Sequence, residues 1–153
     1  MKTPATTIAV FAVFVALIQV GGWAQEKYVP KDNEELYGTW INEKMSVSKI
    51  VVFPGGYREY LNVYDFEPAR DITLEFASKW KDADGNVWFK AFGAITGGFN
   101  EGVKFQEIYK ISESGTKWEL AFNVVADFGP DQYPTRIDPK KSSYGGFFYR
   151  AGN

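Results

Sequence analysis

From residue 36 onward, hydrophobic and polar positions alternate with a period of two, and the runs are broken at short intervals by Gly, Pro, Asn and Asp. This pattern predicts strands near 36–43, 47–53, 57–64, 71–82, 87–95, 103–112, 116–125 and 143–150. Ahead of them, Asp32 or Asn33 is placed to cap a short helical turn through Glu34, Glu35 and Leu36.

A two-residue loop dictates which residues face each other, so hairpin registers follow from turn positions. A tight turn at Ser114-Gly115 sets Ile111 opposite Trp118, Tyr109 opposite Leu120, Glu107 opposite Phe122 and Phe105 opposite Val124. The reverse face then pairs Lys110 with Glu119 and Gln106 with Asn123. A tight turn at Asp84-Gly85 sets Trp80 opposite Phe89, Ser78 opposite Ala91, Phe76 opposite Gly93 and Leu74 opposite Ile95, leaving Lys79, Lys81, Trp88 and Lys90 for solvent. The Pro54-Gly55-Gly56 turn makes a third hairpin with two apolar faces, Ile50, Val52, Leu61 and Val63 against Val51, Phe53, Tyr60 and Tyr64, so its inward side stays open. Successive short hairpins favour an all-β fold, an eight-stranded antiparallel up-and-down barrel whose closure removes exposed edges.

The N-terminal segment breaks this pattern. Lys2 precedes an uncharged run to Val20, followed by Gly21-Gly22-Trp23-Ala24. A basic start, an apolar middle and small residues are the layout of a secretory leader, with cleavage expected after Ala24. As a helix, the apolar stretch Ile8–Val20 rises about 20 Å, short of a hydrocarbon core of about 30 Å, so no stable membrane anchor is expected. Residues 1–24 are therefore read as a signal peptide and 25–153 as one domain, exported to a periplasm or to the exterior.

Composition narrows the chemistry. With 153 residues the chain has room for one core. Seventeen basic against 19 acidic side chains, with a pI near 5.2, leave no cationic surplus for nucleic acid. The absence of cysteine and histidine removes disulfides, thiolate nucleophiles, imidazole bases and most transition-metal sites, so no cofactor or metal is expected.

The first strand opens with Leu36-Tyr37-Gly38-Thr39-Trp40 and the last ends with Phe147-Phe148-Tyr149-Arg150. These ends resemble the calycins, the superfamily of lipocalins and fatty-acid-binding proteins, where a G-x-W motif opens the barrel and a basic residue of the last strand packs across the tryptophan. The resemblance is closer to small bacterial lipocalin-like domains than to animal lipocalins, whose cysteines and trailing helix are missing here. It implies that Gly38, Trp40 and Arg150 support the closed end of the barrel. It also implies a small, partly apolar ligand inside.

The derived registers point Phe76, Phe89, Phe105, Tyr109, Leu120 and Phe122 inward as walls of such a cavity, and place the Glu107 carboxylate among them. A charged carboxylate there needs compensating donors, for which Tyr109, Ser78 and Arg58 are candidates. Glu107, with an inward Tyr60 or Arg58, would orient the ligand. Two other functions remain open: an envelope structural or interaction protein whose barrel is filled by the same aromatics, and a calycin-fold enzyme built on Glu107. A cavity of several hundred Å³ separates the first reading from the filled barrel. Asp82-Ala83-Asp84-Gly85-Asn86 resembles the opening of a calcium loop, but Gly93 stands where the bidentate glutamate should, and a hairpin turn accounts for the segment. The proline-bearing stretch 126–142 is either a cover for the barrel mouth or a bracket on its surface.

Overall fold

The computed structural model describes residues 33–152. The expected leader, the start at Gln25 and the possible cap Asp32 lie outside them. Eight antiparallel strands form a closed barrel in chain order. They are β1 (Gly38–Ile41), β2 (Lys49–Phe53), β3 (Gly56–Tyr60), β4 (Arg70–Lys81), β5 (Val87–Gly98), β6 (Lys104–Ile111), β7 (Lys117–Val125) and β8 (Tyr144–Arg150). A 3₁₀ turn, Glu34–Leu36, precedes β1. Closure is made by β1 and β8, where Trp40 pairs with Arg150 and Ile41 with Tyr149.

The β6–β7 register is the one derived from Ser114-Gly115, pair for pair. The β4–β5 register differs. Its first pair is Lys81 with Val87, so the loop runs from Asp82 to Asn86. The Asp82 carboxylate causes this: it accepts hydrogen bonds from the backbone N–H of Asp84 and Asn86, from Asn86 Nδ2 and from Trp88 Nε1 at 2.7 Å, which holds a longer turn than two residues. A bulge between Phe76 and Ser78 shifts the pairing again. Leu74 and Phe76 keep the inward face, but Trp80 does not. It lies outside against Trp88, rings parallel within 11° and 5.9 Å apart. Beyond the bulge Lys79, expected in solvent, instead meets Glu35 of the 3₁₀ turn at 2.5 Å.

In the β2–β3 hairpin Ile50 and Val52 point inward together with Tyr57 and Glu59. Asx bonds at Asn62 and Asp65 end β3 at Tyr60, so Leu61 and Val63 never extend that face. Below the middle of the barrel the interior is solid: Trp40, Phe89, Tyr109, Ile111, Trp118 and Phe148 are almost fully buried. Their rings meet mostly edge to face, as at Trp40–Trp118 (5.6 Å) and Tyr109–Trp118 (5.3 Å), the arrangement the ring quadrupoles favour.

The stretch 126–142 settles on the outside of β5, β6 and β7. Gln106 Nε2 donates to the Gly129 carbonyl at 2.7 Å while Gly129 N donates back to Gln106 Oε1 at 3.1 Å. The Phe92 and Phe128 rings are 4.9 Å apart. Of the two readings of this segment, the bracket is the one seen. It also explains why Gln106 and Ile108, on the outward face of β6, are buried.

Candidate functional site

Above the aromatic floor the barrel is hollow. A cavity of about 390 Å³ is lined by Ile50, Tyr57, Glu59, Arg70, Ile72, Ile95, Phe105, Glu107, Leu120, Phe122 and Phe148, among others. It reaches the end of the barrel formed by the β1–β2 and β5–β6 loops, which contribute Met45–Val47 and Asn100. At Gly93 a Cβ would lie 2.3 Å from the Thr73 carbonyl oxygen, so the backbones there are too close for any side chain.

Glu107 sits in the middle of β6 with 3% of its surface exposed. Tyr57 Oη donates to its Oε1 at 3.2 Å, and Tyr109 Oη donates to Oε2. Burial pushes the Glu107 carboxyl well above the usual range; the negative charge of Glu59 pushes the same way, and the Tyr57 hydrogen bond opposes them in part. Burial also raises the Tyr57 phenol well above its ordinary value, aided by Glu107 and Glu59. Glu59 has its own cation, with Arg70 Nη2 2.6 Å from its Oε2. Burial raises the Glu59 carboxyl and the Arg70 charge and hydrogen bond work against that rise.

The structure brings together Glu107, Phe105, Leu120 and Phe122 around the cavity. Tyr109 and Phe89 lie lower, in the packed floor with Phe76 at its edge, rather than in the walls. Arg58 and Tyr60 are corrections. Both have the outward parity of β3: Arg58 is half exposed and bonded to Asp71 at 2.9 Å, and Tyr60 is covered by the Lys49 ammonium 4.1 Å from its ring. The donors to Glu107 are the two tyrosines, not Arg58 or Ser78. Tyr57, Glu59 and Arg70 are the polar residues that sequence reasoning missed. Carrying the period of two from Ile50 and Val52 through the turn would have placed Tyr57 and Glu59 inward. Arg70 carries no such signal, because it reaches the cavity from the first position of β4.

At the closed end Arg150 lies over the Trp40 indole, donates to the Tyr37 and Gly115 carbonyls at 2.8 and 3.0 Å, and also donates to the Glu35 carbonyl. Trp40 Nε1 donates to the Leu36 carbonyl at 2.8 Å. Gly38 has φ +119°, and a Cβ there would stand 3.3 Å from Arg150 Nη1. Outside the barrel, a more open cleft of about 550 Å³ separates Trp80, Trp88 and Lys90 from Pro130–Thr135. Its charged side chains, Lys90 and Asp131, are partly or fully solvated. The Asp82 loop spends its carboxylate on its own turn and on Trp88. No family model, curated protein or solved structure matches this chain.

Proposed function

We propose that this chain is an exported, lipocalin-like protein that binds one small, partly apolar molecule inside its barrel. The observation that carries the reading is the cavity of about 390 Å³ above a solid floor, with the fully buried Glu107 carboxyl and the Glu59–Arg70 pair set among mostly apolar walls. Its volume falls within the range of small-molecule sites, about 300–1,000 Å³, and its lining combines many apolar groups with few polar ones. Affinity would come from removing the ligand's apolar surface from water, about 25 cal/mol per Å². Glu107 and Tyr57 would fix its orientation. The Gly38, Trp40 and Arg150 arrangement at the closed end supports the calycin resemblance, and the layout of residues 1–24 supports export.

The test is mass spectrometry under native conditions of protein purified gently from its own host, alongside N-terminal sequencing. One bound small molecule per chain and a start at Gln25 are expected. An interior that takes up neither a native ligand nor an added apolar probe would remove the binding reading, and an exported chain beginning at Met1 would remove the leader.

A second reading, catalysis by Glu107, draws on the burial of this carboxyl against Tyr57 at the cavity wall. Turnover of the co-purified molecule that vanishes in Glu107→Gln, with binding retained, would select it.

A further inference from the structure

We propose that the interior site selects a cationic amphiphile, an ammonium group on a short apolar chain, over a carboxylate of the same length. The inference rests on the barrel interior being the ligand site.

Among the described residues that line the cavity, Arg70 is the one cation, and it is already bonded to Glu59 at 2.6 Å. A ligand carboxylate entering the cavity would find that cation occupied and would meet the charge of Glu59 and the Glu107 carboxyl. Displacing Glu59 from Arg70 would leave a buried carboxylate unpaired, which is costly. An ammonium group meets the opposite situation. Glu107 is held by the neutral phenols of Tyr57 and Tyr109 rather than by a cation, so a cationic ligand can take the place of its counter-ion.

The aromatic lining favours the same sign. Tyr57, Phe105, Phe122 and Phe148 border the space, and the faces of such rings attract cations, quaternary ammonium groups above all. The groups the structure sets against Glu107 are Tyr57 and Glu59 from β3 and Tyr109 from β6, with the Arg70 guanidinium of β4 held by Glu59 at the same cavity. With a cation beside it, Glu107 gains what burial withholds and gives up its proton, while both phenols go on donating to the carboxylate. Binding of a cation is therefore coupled to proton release, and its affinity rises as pH rises through the Glu107 transition.

The experiment is calorimetric titration of the folded domain with octyltrimethylammonium, octanoate and octanol. The three probes share one apolar chain, and the quaternary head cannot titrate. The cation is expected to bind about tenfold or more tightly than octanoate. In Glu107→Gln the preference itself should vanish, with the cation binding no more tightly than octanol does to the same variant; a preference for the cation that survives the substitution would overturn the role of Glu107. In wild-type protein, titrations in two buffers of different ionisation enthalpy should show proton release with the cation and none with octanol, a readout that needs no variant. If octanoate binds as tightly as the cation, the selectivity is wrong while interior binding stands. If none of the three binds, the interior reading falls and this inference with it.

Discussion

The Arg150 guanidinium lies 4.3 Å from the centroid of the Trp40 ring and ties three carbonyls, of Glu35, Tyr37 and Gly115, to the end of β8. One side chain thus joins the segment before β1, the β6–β7 turn and the closing strand. It reinforces a short β1–β8 seam, two residue pairs long, to which Asn42 Nδ2 adds a hydrogen bond to the Phe147 carbonyl at 2.8 Å.

Trp40→Ala is expected to destabilise the protein by about 3–5 kcal/mol, the range for deleting a buried large aromatic. Arg150→Ala should cost about 2–3 kcal/mol, since three carbonyls lose a charged donor. Denaturant titration of both single variants and the double variant should give a sum that is not additive, because residues in contact share their interaction energy. Strict additivity would mean that the stacking contributes nothing.

The parts of this architecture that could be read from sequence are those governed by local rules. At Ser114-Gly115 the hydroxyls of Ser112, Ser114 and Thr116 hold the turn without changing its register, so counting outward placed Glu107 opposite Phe122 correctly. At Asp84-Gly85 the same counting fails, because Asp82 recruits four donors and lengthens the loop, and the bulge before Ser78 then moves Lys79 to the closed end. Side-chain chemistry of that kind is invisible to alternation. The β2–β3 hairpin had two apolar faces because its outward face carries Val51, Phe53 and Tyr60: Tyr60 is buried beneath Lys49, whereas Phe53 stays exposed, and alternation does not separate such a face from the core. The Glu59–Arg70 pair was out of reach for a similar reason: it joins neighbouring strands whose connection, residues 61–69, has no countable turn.

Asp82 should titrate near pH 2. Its hydrogen bond from Trp88 is the leading cause, with those from Asn86 and Asp84 adding to it against a small desolvation cost, and together they bring its carboxyl down to about 2. A depressed carboxyl stabilises the fold above its unfolded value of about 3.9, and that contribution disappears as pH falls through about 2. Carboxyl carbon NMR would follow it directly. Trp88→Phe removes the leading donor and should move the midpoint upward; an unmoved midpoint would assign the shift to the turn alone.

The strap should come loose through Gln106. Its side chain makes two reciprocal hydrogen bonds with Gly129 and is 1% exposed, so Gln106→Ala leaves both backbone groups without these partners and should cost about 1–3 kcal/mol. Limited proteolysis should then cut within residues 127–135 sooner than in the native chain. Because the strap lies outside the barrel, uptake of an apolar probe should be unchanged. Loss of uptake would show that the strap governs the interior after all.

Glu107 and Glu119 lie on opposite faces of one hairpin, and their titrations should oppose each other. Burial pushes Glu119 up, but the hydrogen bonds and charges of Lys110 and Lys117, at 3.0 and 3.1 Å, outweigh it and hold the carboxyl below its usual range. Its stabilisation is present at neutral pH and is lost as pH falls, so Glu119→Gln should cost up to about 1 kcal/mol at pH 7 and less in acid. For Glu107 the sign reverses. A carboxyl raised by burial and by Glu59 is held protonated in the fold, so wild-type stability falls as pH climbs above the unfolded value of about 4.3 and levels off beyond the folded transition. Glu107→Gln keeps a neutral group that Tyr57 and Tyr109 can still bond, and removes this decline. The variant should therefore gain on wild type in denaturant titrations as pH rises above the unfolded value, until the folded transition is passed. A difference between the two proteins that does not change with pH above the unfolded value would mean that the Glu107 proton is not held by the fold.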